Sequence, residues 1–240
     1  MRLALNADVG EGMPSDAALM PYLDMASIAC GGHAGDSATM QQTLALAAEF
    51  NVLVGAHPSY PDREHFGRRS IAMEASALIE SLSTQLLALR QEALTAAVNI
   101  AYVKPHGALY NDMMCNESLL RIVLDVVRAE LPGSKLMLLS TPDYPAIADI
   151  CAAASVQPIF EVFADRAYTV RGSLVARSEP GAVLTQEQSL RRVGDIIERG
   201  VLLSVDGREF SMPMQSLCVH GDNPAAIATV QQIRELMPRG

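Results

Sequence analysis

Short apolar segments alternate along the chain with longer amphipathic ones. The segments with the length and composition of strands cover residues 3–6, 27–30, 52–56, 101–104, 135–139, 158–163 and 217–219. Between them, apolar residues recur at helical spacing, most clearly in residues 74–98. This alternation predicts an α/β fold with a mostly parallel sheet and helical crossovers. It leaves open whether the sheet is a closed barrel or an open, doubly wound sheet.

Several of the predicted helices have recognisable first residues. Ser37 and Asn116 are placed to act as N-caps, because each precedes a segment of helical periodicity. Thr185 and Gln188 have the spacing of a capping box. Asn223 stands before a proline, which is favoured in the first turn of a helix.

Polar side chains gather where the predicted strands end. In chain order they include Asn6, Asp8, Glu11, His33, Asp36, His57, Lys104, His106, Glu161, Asp165, His220 and Asp222. In a parallel barrel all these strand ends open on one face, whereas an open sheet brings together only those near its switch point. Any one of these residues could instead cap a helix, and capping accounts best for Asp36. The set as a whole favours a nearly closed barrel of about seven strands, with residues 1–240 as one domain.

Two polar, irregular segments carry most of the arginines near these strand ends. Residues 57–70 contain Arg63, Arg68 and Arg69, and residues 165–181 contain Arg166, Arg171 and Arg177. The guanidinium group suits carboxylate and phosphate, so the two segments predict a locally positive binding site. The alternative for each arginine is a solvated loop with local ion pairs.

Composition narrows the classes of function. The chain has 240 residues, is 50% hydrophobic and has a net charge of −9, so neither a disordered chain nor a protein that binds nucleic acid or anionic membrane is expected. Its four cysteines form no CxxC pair, and no signal peptide or membrane span is apparent, which favours a cytoplasmic protein with reduced thiols. There is no P-loop, GxSxG elbow or HExxH motif.

Motifs along the whole chain resemble the LamB/YcsF family. The matching stretches are LNADVGEG (5–12), SIACGGHAGD (27–36), VGAHPSYPDREHFGRR (54–69), VKPHGALYN (103–111), EVFADRAY (161–168), GSLVARSEPGA (172–182) and CVHGD (218–222). Gly32 departs from the family, which usually has phenylalanine there, and the smaller residue is expected to widen the pocket.

The resemblance implies a distorted, TIM-like (β/α) barrel related to the glycoside hydrolase/deacetylase superfamily. It also implies an activity, the ATP-dependent hydrolysis of 5-oxo-L-proline to L-glutamate with release of ADP and phosphate. The resemblance further implies two partners, the 5-oxoprolinase subunits B and C. Because this chain has no nucleotide loop, we expect ATP to bind mainly to the partners, which would make a phosphorylated intermediate for this chain to open.

Roles for the polar residues follow from that chemistry as predictions. The predicted catalytic residues are Asp8, His57, Lys104, His106 and Asp222, with Asp8 or Asp222 as the base toward water. The predicted substrate-binding residues are Asn6, Glu11, His33, Arg63, Arg68, Arg166 and His220. Lys104 and an arginine would stabilise phosphate and oxyanion.

Two other functions remain open on the sequence. No metal is expected, but Asp8, His33 and His57 are ligand types that could hold zinc, which would make the protein a metal-dependent amidohydrolase or deacetylase. Alternatively, the chain could be a scaffold that binds oxoproline for a partner's active site. The sequence also leaves homo-oligomerisation open.

Overall fold

Seven parallel strands close into a barrel in the computed structural model, which describes residues 3–220 and 224–237. The strands of the chain are β1 (Ala4–Val9), β2 (Met25–Ala29), β3 (Leu53–His57), β4 (Ile100–Val103), β5 (Lys135–Leu139), β6 (Pro158–Phe163), β7 (Leu202–Leu203), β8 (Glu209–Phe210) and β9 (Ser216–Cys218). The barrel order is β1-β2-β3-β4-β5-β6-β9, and β9 pairs with β1 to close it. The antiparallel pair β7–β8 lies outside the barrel. The predicted closed barrel is therefore confirmed, and the open sheet is excluded.

Helices follow most of the barrel strands. They are α1 (Asp16–Leu19), α2 (Ser37–Glu49), α3 (Ala75–Thr95), α4 (Gly107–Cys115), α5 (Glu117–Glu130), α6 (Tyr144–Ala153), α7 (Gln186–Arg199) and α8 (Pro224–Leu236). The caps predicted at Asn116 and at Thr185 with Gln188 are confirmed. The cap predicted at Ser37 is wrong by one residue, because the Asp36 side chain accepts the hydrogen bond from the Thr39 amide at 2.8 Å. The predicted cap Asn223 lies outside the described residues.

The first strand is longer than the sequence suggested, and the reason is the polar lumen of the barrel. Its residues alternate between two surroundings, as strand residues do. Leu5 and Val9 belong to the main apolar core between barrel and helices. Asn6 and Asp8 have the opposite parity and meet other polar side chains inside the barrel. Polar residues therefore continue the strand to Val9 instead of ending it after residue 6.

The lumen also contains a small apolar cluster of Met25, Tyr102 and Met137, separate from the main core. Tyr102 needs a gap in the neighbouring strand, and Gly55 is its register partner on β3. A Cβ atom at Gly55 would lie 2.3 Å from the Tyr102 ring. Glycine is thus required at this position by packing.

Gly32 does not open a pocket, contrary to the expectation from the sequence. The space beside it is filled by Gln85, whose amide oxygen would lie 2.3 Å from a Cβ atom at Gly32. Gln85 is held there by two hydrogen bonds with the backbone of Ser59, at 2.9 Å and 2.8 Å. A polar side chain from α3 has therefore taken the volume that a larger residue 32 would occupy.

The cysteines are free thiols: Cys30, Cys151 and Cys218 are buried and Cys115 is exposed. No helix in the described ranges is both long and apolar enough to cross a membrane. That residues 1–240 form a single domain stays a prediction.

Candidate active site

A buried lysine lies at the bottom, or floor, of a cluster of polar side chains at the carboxyl end of the barrel, called the pocket below, in which the Asp8 and Glu11 side chains are 14% and 13% exposed. Lys104 follows β4 directly and is only 2% exposed. Its Nζ lies 3.0 Å from Asp8 Oδ1 and 3.1 Å from Glu161 Oε2. It also donates to Asn6 Oδ1 at 3.2 Å and to Cys218 Sγ at 3.3 Å. Residues from four strands or strand ends therefore meet at one ammonium group.

The charges on this floor keep each other ionised. Burial by itself raises the pKa of Asp8, but the nearby positive charges of His57 and Lys104 outweigh it and hold that pKa well below its usual value. Burial by itself lowers the pKa of Lys104, and the adjacent Asp8 outweighs it and places that pKa well above its usual value. Two carboxylates, Asp8 and Glu161, face this single ammonium, so the floor attracts a further positive charge.

Two histidines form one wall and are oriented by backbone carbonyls. His57 is the last residue of β3, and its Nδ1 lies 2.6 Å from the carbonyl oxygen of Lys104. His106 Nε2 lies 3.0 Å from the carbonyl oxygen of Phe66. The other two ring nitrogens, His57 Nε2 and His106 Nδ1, face each other at 2.9 Å. Asp8 Oδ2 lies 3.3 Å from the same His57 Nε2.

A third histidine and a glutamate complete this wall. The His33 ring stacks on the His106 ring with centroids 3.7 Å apart, and His33 Nε2 lies 3.0 Å from Glu11 Oε1. Burial and the charge on His57 lower the pKa of both rings, to about 3 for His33 and about 2 for His106. Burial raises the pKa of Glu11. His33 and His106 are therefore neutral near pH 7.

Two glycines allow the 57–70 segment to lie against this wall. Gly67 has φ +63°, and a Cβ atom there would lie 3.0 Å from His33 Cβ and 3.1 Å from His106 Cδ2. Gly107 has φ +60°, and its Cβ would lie 2.4 Å from the Gly67 carbonyl oxygen. Positive φ and the close approach both require glycine at these positions. The histidine wall is thus covered by backbone.

The opposite wall contains a second histidine arrangement. His220 Nδ1 lies 2.7 Å from Asp165 Oδ2, and Arg177 Nη2 lies 2.8 Å from His220 Nε2. Burial by itself lowers the pKa of His220, but the Asp165 carboxylate raises it above its usual value. Burial by itself raises the pKa of Asp165, and His220 outweighs it and lowers that pKa. The sequence did not predict the His220–Asp165 pair, because its two residues are 55 positions apart and no motif links them.

The predicted arginines differ in what they contact. Arg63 donates to the carbonyl oxygens of Gly31 and Gly35, and Arg166 donates to those of Val175 and Ala182. Both therefore hold loops together. Arg68 is exposed and lies over the Phe66 ring, 5.1 Å from its centroid, beside the histidine wall. Arg68 and Arg177 are exposed and lie next to the histidine groups, so their guanidinium groups are available to an anion.

The structure brings together most of the predicted site. The residues that meet in the pocket are Asn6, Asp8, Glu11, His33, His57, Lys104, His106 and His220. Asp222 lies outside the described residues. Glu161, Asp165 and Arg177 belong to the pocket but were given no catalytic or substrate-binding role from the sequence, which placed the first two near a strand end and Arg177 in an arginine-bearing segment; Glu161 in fact lies within β6.

Two groups in the pocket have the residue types that bind metals. One is Glu11 with His33, His57 and His106, and the other is Asp8 with Cys218 and His220. Within each group, the candidate ligand atoms lie within 4.8 Å of one another. The predicted set Asp8, His33 and His57 is thus divided between the two groups.

Comparisons with known proteins identify the family and the fold. The model of the LamB/YcsF family matches residues 3–239. The A subunit of 5-oxoprolinase from Vibrio cholerae serotype O1 is 44% identical over 239 residues, which cover 97% of this chain and 96% of the relative. The crystal structure of the lactam utilization protein from Thermus thermophilus has a TM-score of 0.88 at 32% identity, covering 98% of this chain and 95% of that one. A putative alpha-L-fucosidase from Bacteroides thetaiotaomicron shares the fold alone, with a TM-score of 0.50 at 11% identity, covering 98% and 64%.

Proposed function

The chain belongs to the LamB/YcsF family, and from that premise we propose that it performs the function of the A subunit in a 5-oxoprolinase. Relatives of that name match nearly its whole length, from Vibrio cholerae and from Pseudomonas putida, at 44% identity. The observation that carries the proposal is the conjunction of this match with a buried Lys104–Asp8 ion pair beneath two histidine-bearing walls. Such a pocket suits proton transfer and oxyanion stabilisation.

The chemistry requires activation before the ring can open. A lactam carbonyl is a poor electrophile because amide resonance stabilises it. Transfer of phosphate from ATP to that oxygen makes water addition at the ring carbon feasible. The ring C–N bond then breaks as the nitrogen takes a proton, and a second water releases phosphate to leave L-glutamate.

The pocket floor supplies positive charge for this addition. The Lys104 ammonium remains protonated because Asp8 and Glu161 surround it. Its position inside the barrel is fixed, so it needs no reorganisation as negative charge develops on the substrate oxygen. Asp8 is a weak base because its pKa is held low, so we assign it to holding Lys104 and His57 in place.

His220 is the better proton carrier. Asp165 orients its ring through Nδ1, which leaves Nε2 as the reactive nitrogen, as in other histidine–carboxylate pairs. Arg177 now donates to that nitrogen and is itself exposed. A substrate phosphate would draw Arg177 away, and His220 Nε2 could then take a proton from water and return it to the ring nitrogen.

The partners remain part of the proposal. We place ATP binding and the phosphorylation step on subunits B and C, because the chain contains no P-loop sequence. The substrate would be the phosphorylated form of 5-oxo-L-proline, and its anionic groups would meet the exposed guanidinium groups of Arg68 and Arg177.

The test is glutamate release from 5-oxo-L-proline and ATP by the three subunits together. We expect glutamate only from the full set, and at least about 10²-fold less when this chain carries His220→Gln. Asp125→Asn is the matched control, since Asp125 lies in an exposed ion pair with Arg128 on α5. No glutamate from a properly assembled complex would exclude the function, and full activity of His220→Gln would exclude the proton carrier.

A further inference from the structure

The contact between His57 and His106 cannot be a hydrogen bond between two neutral imidazoles. A neutral imidazole has one N–H, and the other nitrogen is an acceptor. His57 donates its proton from Nδ1 to the Lys104 carbonyl, and His106 donates from Nε2 to the Phe66 carbonyl. With one proton on each ring, two lone pairs would face each other across 2.9 Å in a buried place. The contact therefore requires positive charge, which is either a second proton on His57 or a metal ion bound by the two nitrogens.

The neighbouring groups have the composition of a divalent metal site. Glu11 Oε1 lies 3.0 Å from His33 Nε2, 3.6 Å from His106 Nδ1 and 3.9 Å from His57 Nε2. Four ligand atoms placed tetrahedrally around zinc at about 2.0–2.1 Å lie roughly 3.3 Å apart. The separations among His57 Nε2, His106 Nδ1 and Glu11 Oε1 are 2.9, 3.6 and 3.9 Å, and they fall on both sides of that value. Two imidazoles and one carboxylate are ligands that zinc accepts. The His33 ring is stacked on the His106 ring, so the two rings cannot direct in-plane lone pairs at one ion, and His33 supports Glu11 instead.

The backbone contacts also have the form of an outer coordination shell. Metal-binding histidines commonly donate their second N–H to a carbonyl or carboxylate, which fixes the ring and directs its lone pair to the metal. His57 and His106 both do so. The excess negative charge of Asp8 and Glu161 over Lys104 lies below the same wall and favours a cation there.

We propose that His57, His106 and Glu11 form a binding site for one zinc ion or a similar divalent transition metal, with a fourth position open to water. This set differs from the Asp8, His33 and His57 triplet considered from the sequence. His33 contacts Glu11 from outside the ligand set, and Asp8 is engaged through Oδ1 by Lys104.

Metal binding is tested on the full chain without substrate or partners, so the result is independent of the proposed activity. The chain is stripped with chelator and dialysed against Zn²⁺, and bound metal is counted by elemental analysis. Co²⁺ is then used as a spectroscopic probe, because its visible absorption reports four-coordinate geometry. We expect one ion per chain and intense Co²⁺ absorption.

Variants locate the site. His106→Gln should weaken Zn²⁺ binding by at least about 100-fold. His65→Gln should not change it, since His65 contacts Asp62 on the same segment away from the pocket. Circular dichroism identifies any variant that fails to fold, and the wild-type Co²⁺ spectrum does not depend on the variants.

Two results would overturn the proposal. One is a wild-type chain that takes up no Zn²⁺ and shows no four-coordinate Co²⁺ spectrum. The other is nitrogen NMR of the metal-free chain at pH 7 with both His57 nitrogens protonated, together with Zn²⁺ uptake that His106→Gln leaves unchanged. In that case a proton, and not a metal ion, fills the gap between the two rings.

Discussion

The two halves of the barrel lumen are both buried, yet they are filled in opposite ways. The half that holds Met25, Tyr102 and Met137 is mainly apolar, with hydrogen bonds between Ser27 and Tyr102 at 3.1 Å and from Ser216 to Met25 Sδ at 3.8 Å. The half at the carboxyl end surrounds Lys104 with charged and polar side chains. In parallel barrels the carboxyl ends of strands carry the chemistry and the other end contributes stability. The contrast teaches that a single barrel interior can hold an apolar cluster and a charged network only a few residues apart along the same strands.

Removal of the Lys104 charge should have the largest effect on both stability and activity. Lys104→Met leaves Asp8 and Glu161 buried without their common partner. We expect a loss of about 3–5 kcal/mol in the free energy of unfolding, because an uncompensated buried charge remains. Glutamate formation by the assembled complex should fall at least about 10³-fold.

Urea unfolding and the glutamate assay measure these two effects. The chain has one other lysine, Lys135, which is exposed at the start of β5 and makes Lys135→Met the matched control. Lys104→Met with near-normal stability and activity would mean that the carboxyl-end network contributes neither folding energy nor catalysis.

Disturbing the apolar half should affect stability and not chemistry. Gly55→Ala places a methyl group 2.3 Å from the Tyr102 ring. Overpacking of this kind destabilises by about 1–3 kcal/mol. Activity per folded molecule should be unchanged, as measured by the glutamate assay at a temperature where the variant is folded.

Gly194→Ala is the control for that substitution, since Gly194 lies in α7 and no atom would come within 4 Å of its Cβ. It should stabilise the chain by about 0.4–1 kcal/mol, because alanine restricts the unfolded state more than glycine does. Equal effects of the two substitutions would contradict the role assigned to Gly55.

The same contrast explains what the sequence could predict. The bounds of β5 and β6 were predicted without error, because apolar runs on two buried faces are easily recognised. β1 was predicted to end at Asn6, whereas Asn6 and Asp8 remain in the strand because Lys104 pairs with them inside the barrel. A sequence pattern cannot distinguish a polar residue in a lumen from one in a loop.

Side-chain partners were the other part that the sequence could not supply. Arg63 and Arg166 were predicted to bind substrate, and nothing in their sequence neighbourhood reveals that their donors meet backbone carbonyls. Asp165 was identified as a strand-end group, but its pairing with His220 depends on how β6 and β9 adjoin. Those roles for Arg63 and Arg166 stay predictions.

The His220–Asp165 pair should make the free energy of unfolding depend on pH. Because Asp165 raises the pKa of His220 in the folded chain, the pair stabilises fully below the unfolded histidine value of about 6.5 and loses that contribution as pH rises through the folded pKa. His220→Gln should therefore destabilise by about 1.5 kcal/mol near pH 6, the lower end for a charged hydrogen bond, and by less above neutrality.

Urea titrations of the wild-type chain and His220→Gln across pH 6 to 9 measure this difference. The expected energy of about 1.5 kcal/mol is the lower end for a charged hydrogen bond, because the two side chains keep 19% and 23% of their surface exposed to solvent. His65→Gln serves as the histidine control outside the pocket. A difference that grows with pH would reverse the sign and contradict the ion pair.

The smallest predicted effect concerns the hydrogen bond between Ser27 and Tyr102 in the apolar half. Tyr102→Phe leaves the buried Ser27 hydroxyl without its partner and should cost about 1 kcal/mol of unfolding free energy. Adding Ser27→Ala should recover most of that loss, since removing both partners leaves no buried hydroxyl unsatisfied. Neither variant should change glutamate formation, because the two hydroxyls bond each other and not Lys104, although Ser27 is the register partner of Asp8. If Tyr102→Phe lowered activity while stability stayed constant, the two halves would be coupled, and the division between a stabilising half and a reactive half would have to be abandoned.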